Sequence, residues 1–158
     1  KYDFTICNQN FLSRFKLSIK IYTDGACKGN PGDGGWGVLI IYPDNEEEIF
    51  GYEENTTNNR MELLAAIKAL EAVTGKTDVT IYTDSMYLQQ GITSWIKNWK
   101  LNNWKTASKK NVKNSDLWKR LDYLSDNVKV NWNWVKAHSG HPENERADFL
   151  ANKGILLK

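Results

Sequence analysis

The chain has 158 residues, 41% of them hydrophobic and 25% charged, and its net charge is +2. This is the make-up of a single globular domain long enough to bury a substantial core. Two cysteines, Cys7 and Cys27, exclude a disulfide scaffold; no CxxC pair offers a zinc site, and no apolar stretch approaches the length of a membrane span.

Residues 1–16 precede the first periodic segment and form an N-terminal extension without an assigned role, so the domain is taken as 17–158. Lys1–Phe15 has no continuous apolar core or small-residue cleavage site, and no secretory leader is expected there. Leu17, Ile19 and Ile21 alternate into Ile21-Tyr22-Thr23-Asp24, the pattern of a half-buried strand. Gly25–Gly35 is glycine-dense and reads as a loop whose backbone can approach a ligand or another strand. Gly35–Tyr42 and Glu47–Glu54 predict a hairpin around Pro43-Asp44-Asn45. The capping-rich run Asn55–Asn59 leads into a predicted helix, Arg60–Val73, with Leu63, Leu64, Ile67 and Leu70 on one face.

Val79 and Ile81 then alternate into a second Ile-Tyr-Thr-Asp, at Ile81–Asp84. Short helices are predicted over Ser85–Gly91, Ser94–Leu101 and Ser115–Leu124, with a basic, tryptophan-bearing loop between the last two. Val128, Val130, Trp132 and Trp134 alternate as a final strand. The last helix opens at Pro142, a favoured first helical residue, carries Glu143 and Glu145 in its positive first turn, and is expected to end at Gly154. The order β-β-β-α-β-α-α-α-β-α indicates an α/β domain with a mixed sheet.

The duplicated tetrapeptide is the most informative feature. The helix and hairpin between the copies allow both strands to lie parallel in one sheet, so Asp24 and Asp84 would project from neighbouring strand ends. Like charges held that close are costly unless a cation sits between them, and ligands of open α/β sheets bind at the carboxyl ends of strands. Glu62, in the first turn of its helix, and Asp148, in the last helix, are further candidates. With no Cys or His cluster, magnesium or manganese suits such carboxylates better than zinc. Other readings stay open for each acid. Glu62 could pair with Asn59 in a capping box, Asp148 could be a solvated helix charge, and an Asp at a strand end can be a turn former.

His138 and His141 flank Ser139-Gly140 in a loop ahead of the helix bearing Asp148. A loop histidine is ordinarily a solvated side chain, but a neutral imidazole beside a metal site could move protons near pH 7. From Lys97 to Arg120 there are eight basic residues and one acid, Asp116, so this window carries +7 and the rest of the chain −5. A basic block on an acidic body suggests a polyanion partner. Trp95, Trp99, Trp104 and Trp118 are interleaved with these charges. Bases stack on such rings, although Trp95 and Trp99 at i, i+4 spacing can equally be core, and a mixture is expected.

In sequence order, Thr23-Asp24-Gly25-Ala26-Cys27, Gly29-Asn30-Pro31-Gly32, Thr56–Leu63, Thr83-Asp84-Ser85, the stretch from Trp95-Ile96 to Trp118, and Val135–Asp148 together resemble ribonuclease HI of the bacterial type. The likeness covers about Leu17 to Gly154. It implies a mixed five-stranded sheet flanked by helices, and hydrolysis of the RNA strand of RNA–DNA hybrids by two divalent ions, Mg2+ with Mn2+ able to substitute, leaving 5′-phosphate and 3′-hydroxyl ends. The family's acidic ligands fall on Asp24, Glu62, Asp84 and Asp148, with Asp24 expected to bridge both ions, and its mobile-loop histidine falls on His138. Its hybrid contacts fall on Cys27, Asn30, Thr57, Asn58 and Asn59. The basic protrusion, about 95–118, corresponds to the segment that grips the DNA strand, with Trp95, Asn98, Trp99, Lys100, Lys105 and Asn114 as contacts.

Met86 stands where bacterial relatives commonly carry a substrate-touching Gln, and Asp33 replaces a frequent proline. No catalytic position is missing. Cys7 and Cys27 read as reduced thiols of a cytoplasmic protein, and a monomer with neither membrane nor obligate protein partner is expected. The alternatives are a non-catalytic hybrid-binding module, the ribonuclease H domain of a retroelement polymerase, and a transposase or integrase of related fold; the complete asparagine set and four acids argue against the last.

Overall fold

A computed structural model describes residues 18–76 and 78–158; Cys7 and the other residues of the extension lie outside them. The expected mixed sheet is present, with five strands in the order β3-β2-β1-β4-β5. These are β1 (Ile19–Gly29), β2 (Gly32–Ile41), β3 (Glu46–Thr56), β4 (Asp78–Thr83) and β5 (Lys129–Trp134). β2 lies between β1 and β3 and is antiparallel to both, whereas β4 pairs parallel with β1 and β5 parallel with β4. The two copies of the tetrapeptide lie side by side in register: Ile21 opposite Ile81, Tyr22 opposite Tyr82, Thr23 opposite Thr83. Asp24 and Asp84 therefore leave adjacent parallel strands at the same level.

Two helices sandwich the sheet. α1 (Asn58–Ala72) packs on one face and α5 (Pro142–Ile155) on the other. Between β4 and β5 come α2 (Met86–Gln90), a π-helical turn (Gly91–Trp95), α3 (Ile96–Leu101) and α4 (Ser115–Ser125). The main core lies under α1 and α4, where Ile21, Val38, Ile40, Leu63, Leu70, Val79, Ile81, Trp118 and Leu121 are buried. The expected break between the Ser85–Gly91 and Ser94–Leu101 helices is instead the π-turn. Gly91 sits there because a Cβ would come within 2.1 Å of Cη2 of Trp118. No helix among the described residues is long and apolar enough to cross a membrane.

Three local expectations are corrected. The Gly25–Gly35 segment is not a loop: it is the end of β1 and the start of β2, paired residue by residue from Gly25 opposite Trp36 to Gly29 opposite Gly32. Its glycines serve packing on both faces. A Cβ on Gly34 would meet α1 at the Met61 side chain, and one on Gly35 would lie 2.0 Å from the Ala151 carbonyl oxygen of α5. Gly154 does not end the last helix, which runs on to Ile155; it admits the Gly51 carbonyl, which a Cβ would meet at 2.2 Å. The capping box of Asn59 with Glu62 is absent, because the helix starts two residues earlier. Thr57 is the N-cap, its hydroxyl accepting the Arg60 N–H at 3.3 Å. This frees Glu62 for another purpose.

Candidate active site

Three of the four acids converge. Each of Asp24, Glu62 and Asp84 offers a carboxylate oxygen, and these atoms all lie within 4.8 Å of one another. Asp24 ends the buried part of β1, Glu62 projects from the second turn of α1 onto it, and Asp84 follows β4. Asp24 is 6% exposed and Glu62 9%, which makes their charges expensive. Burial, and after it the charge of Asp84, pushes the Asp24 carboxyl up to about 8. Glu62 is likewise held well above the ordinary carboxylate range by burial and then by its neighbours Asp24 and Asp84. One oxygen of Glu62, Oε2, is buried with no hydrogen-bonding partner among the described residues.

An all-oxygen, anionic and partly orphaned donor set is what a hard divalent cation neutralises, and these residues fit one. Asp148 stands outside this group of three. It is half-buried on α5, its charge is felt at Asp24, and Oδ1 accepts the Asn152 amide at 3.0 Å. His138 is exposed in the turn between β5 and α5, at φ 49°, and belongs to no metal-ligating group among the described residues. His141 is the N-cap residue of α5.

Asp84 is held more firmly than the sequence suggested. The Trp134 indole N–H donates to its main-chain oxygen at 2.9 Å, and the Asn144 amide donates to Oδ2 at 3.1 Å. Neither residue was a site candidate. The signal for Asn144 was there, because it precedes Asp148 by four residues and so shares its helix face.

The expected hybrid contacts of one group gather at the start of α1. Asn30 Oδ1, in the β1–β2 turn, accepts the Asn58 N–H at 3.3 Å, and the Cys27 thiol donates to the Thr56 carbonyl at 3.3 Å. Thr57 caps the helix, and Asn58 and Asn59 are exposed beside it. Arg60 reaches from here to the far segment, its guanidinium making a two-pronged pair with Asp116 at 3.1 and 3.0 Å. Asn114 donates to the Tyr87 hydroxyl at 3.1 Å and is the left-handed N-cap residue of α4.

Most of the tryptophans pack inward. Trp118 is fully buried, and Trp99 and Trp104 pack against the core, whereas Trp95 is 37% exposed at the edge of the cluster. Asn98, Lys97, Lys105, Lys109, Lys110 and Lys113 are exposed. Lys100 is already paired with Asp122 at 2.8 Å, and Lys105 bonds Asn111.

Comparison with known proteins agrees with this geometry. The family model described as RNase H matches residues 16–156. A ribonuclease H of Francisella tularensis subsp. novicida is 63% identical over 140 residues, covering 89% of this chain and 92% of its own. Among solved structures, LC9-RNase H1, a type 1 RNase H with the type 2 active-site motif, superposes with a TM-score of 0.79 at 32% identity, covering 88% of this chain and 72% of its own. LC11-RNase H1 in complex with RNA/DNA hybrid gives 0.69 at 27% identity, covering 89% and 98%.

Proposed function

The chain belongs to the ribonuclease H family, and from that premise we propose that it cleaves the RNA strand of RNA–DNA hybrids with divalent cations held by Asp24, Glu62, Asp84 and Asp148. The observation that carries this reading is the convergence of three carboxylates within 4.8 Å at the ends of adjacent parallel strands. Two such ions bound there, Mg2+ by preference with Mn2+ able to substitute, would activate the attacking water and stabilise the departing 3′ oxygen, leaving 5′-phosphate and 3′-hydroxyl ends. Asp24, whose carboxylate lies against those of both Glu62 and Asp84, would serve as the common ligand. No ligand position is lost, which weighs against a non-catalytic hybrid-binding module. The enzyme is taken to work as a cytoplasmic monomer without an obligate protein partner.

The hybrid would lie across two surfaces. Cys27, Asn30, Thr57, Asn58 and Asn59 face the RNA strand, whose 2′-hydroxyls line a wide minor groove. Trp95, Asn98, Trp99, Lys100, Lys105 and Asn114 face the DNA strand. The Arg60–Asp116 pair bridges these surfaces. Little base-sequence preference is expected. Met86, half-exposed beside Ser85, cannot supply the hydrogen bond of a glutamine.

His138, in the exposed turn between β5 and α5, serves as the proton carrier. His138→Ala should lower kcat by roughly 10²–10⁴-fold, the usual range for a general acid–base group. His141→Ala should act as a mild structural change at the α5 cap. Equal losses in the two variants would make His138 a loop anchor instead.

The lysines of the protrusion release counterions when the duplex binds, each phosphate contact adding roughly 0.9 to the salt slope. Lys105→Gln combined with Lys113→Gln should raise KM and flatten that slope by about two, with kcat close to wild type. A lowered kcat on an unchanged slope would assign the segment to shaping the active site.

The decisive assay incubates the protein with labelled RNA–DNA hybrid, double-stranded RNA and double-stranded DNA, with and without Mg2+. Cleavage of the hybrid RNA alone, dependent on the ion, is expected. Hybrid binding without cleavage would establish a binding module.

A further inference from the structure

Asn144 is 3% exposed, on the first turn of α5, and the active-site reading above leaves it without a task. Its Nδ2 donates to Oδ2 of Asp84 at 3.1 Å, across 60 residues of sequence. Its Oδ1 is buried without a hydrogen-bonding partner among the described residues. A buried amide oxygen left unpaired costs stability, so burial alone does not favour an amide at this place. A leucine-sized apolar side chain would avoid the cost and lose only the grip on Asp84.

That grip is one of two. Trp134, at the end of β5, donates its indole N–H to the main-chain oxygen of Asp84 at 2.9 Å. The indole fixes the backbone of Asp84 and the amide fixes its carboxylate. A carboxylate on the residue after a strand end has free rotation about χ1 and χ2. Left alone beside Asp24 and Glu62, it would swing outward into solvent, away from the like charges. One neutral donor on one oxygen prevents this and leaves the other oxygen free to face the pair.

We propose that Asn144 is the positioning residue of the site, its amide holding the Asp84 carboxylate turned toward Asp24 and Glu62. This links α5, which also carries Asp148, to the carboxylates of β1 and β4. It rests on the reading of those carboxylates as a cation site, and its test separates the two.

Substrate-free protein is titrated with Mn2+, and the free ion is followed by electron paramagnetic resonance. Hybrid cleavage is measured in parallel. Asn144→Ala should weaken Mn2+ binding by roughly 10-fold and kcat by roughly 10–100-fold, the range for residues that orient metal ligands, while KM for hybrid stays within about twofold. Asn144→Ser keeps a polar group that is too short to reach Asp84, and it should give the same losses if the alanine variant does not melt cooperatively. In an Asp84→Asn background the further effect of Asn144→Ala on Mn2+ affinity should shrink to less than about twofold, because the two act as one unit. Unchanged Mn2+ affinity in both Asn144 variants, or an undiminished effect in the Asp84→Asn background, overturns the positioning role. Wild-type protein that binds no Mn2+ and cleaves no hybrid overturns the cation-site reading itself.

Discussion

Replacing Asp24 by Asn should cut hybrid cleavage by about 10³–10⁴-fold and, in the same protein, raise the melting temperature of the metal-free chain at pH 8. The first effect follows from the several kcal/mol of charge stabilisation that bound cations give a phosphoryl transition state, each 1.36 kcal/mol being about tenfold in rate. Asparagine keeps the shape but removes the charge that holds the ions, so hybrid binding should persist. The second effect follows from burial. The Asp24 carboxyl titrates at about 8 in the fold against its ordinary 3.8, burial being the larger cause and Asp84 the next. A raised acid contributes stability that is fully present below the ordinary value and is lost as pH rises through the folded one. The wild-type metal-free protein should therefore weaken between about pH 4 and pH 8, by a few kcal/mol across that window.

The Asn variant is spared that loss, so the difference in melting temperature should be largest near pH 8 and should shrink as the pH falls toward 4. Thermal melts in chelator at both ends of the range would show this, and Mg2+ should restore the wild type but not the variant. Near-normal turnover in Asp24→Asn would remove Asp24 from the site. A lower melting temperature at pH 8 would mean that the charged carboxylate accepts the Gly25 N–H, at 2.8 Å from Oδ1, so much more strongly than an amide oxygen that the gain outweighs the cost of the buried charge. Glu62→Gln and Asp84→Asn should lose hybrid cleavage in the same way, and Asp148→Asn should be milder because it stands outside the tight group.

Gly25→Ala should damage stability and activity together. Here β1 touches α1: a Cβ would lie 2.4 Å from the Glu62 nitrogen and 2.5 Å from the Met61 carbonyl carbon. Those are main-chain atoms of a helix, and they yield only if the helix moves. Overpacking of this kind costs about 3 kcal/mol or more, which in a domain of this size lowers the melting temperature by roughly 6–12 °C. The clash also falls between two site residues, since Gly25 follows Asp24 and the struck atom belongs to Glu62. A displacement of about 1 Å there should cost roughly 10²-fold in kcat. Gly75→Ala is the control: its Cβ meets nothing within 4 Å, but φ is +83°, so it should lose some stability and no activity. Gly25→Ala with wild-type melting would show that α1 slides freely on β1.

The three-carboxylate group has a sequence origin that can be stated strand by strand. Two identical tetrapeptides of period-two pattern form parallel strands in register, and a helix capped at Thr57 returns over them with Glu62 facing down. The hairpin at Pro43-Asp44-Asn45 and the opening of α5 at Pro142 were equally legible, because each depends on local pattern or on a residue with one strong conformational preference. The glycine-rich segment misled for a physical reason. Glycine signals a loop by its backbone freedom, yet in Gly25, Gly34 and Gly35 it is the missing side chain that matters, and two helices chosen by tertiary packing use the space.

By itself, then, the sequence determined the α/β class, the parallel placement of Asp24 and Asp84, and the candidate acids, since periodicity and duplication are carried in the order of residues. Only the tertiary structure decided which of those acids meet. Convergence of Asp24, Glu62 and Asp84 depends on how closely α1 approaches β1, the partial separation of Asp148 depends on where α5 crosses the sheet, and the holds of Trp134 and Asn144 on Asp84 span 50 and 60 residues. Contacts of that range are set by packing, which no local pattern contains.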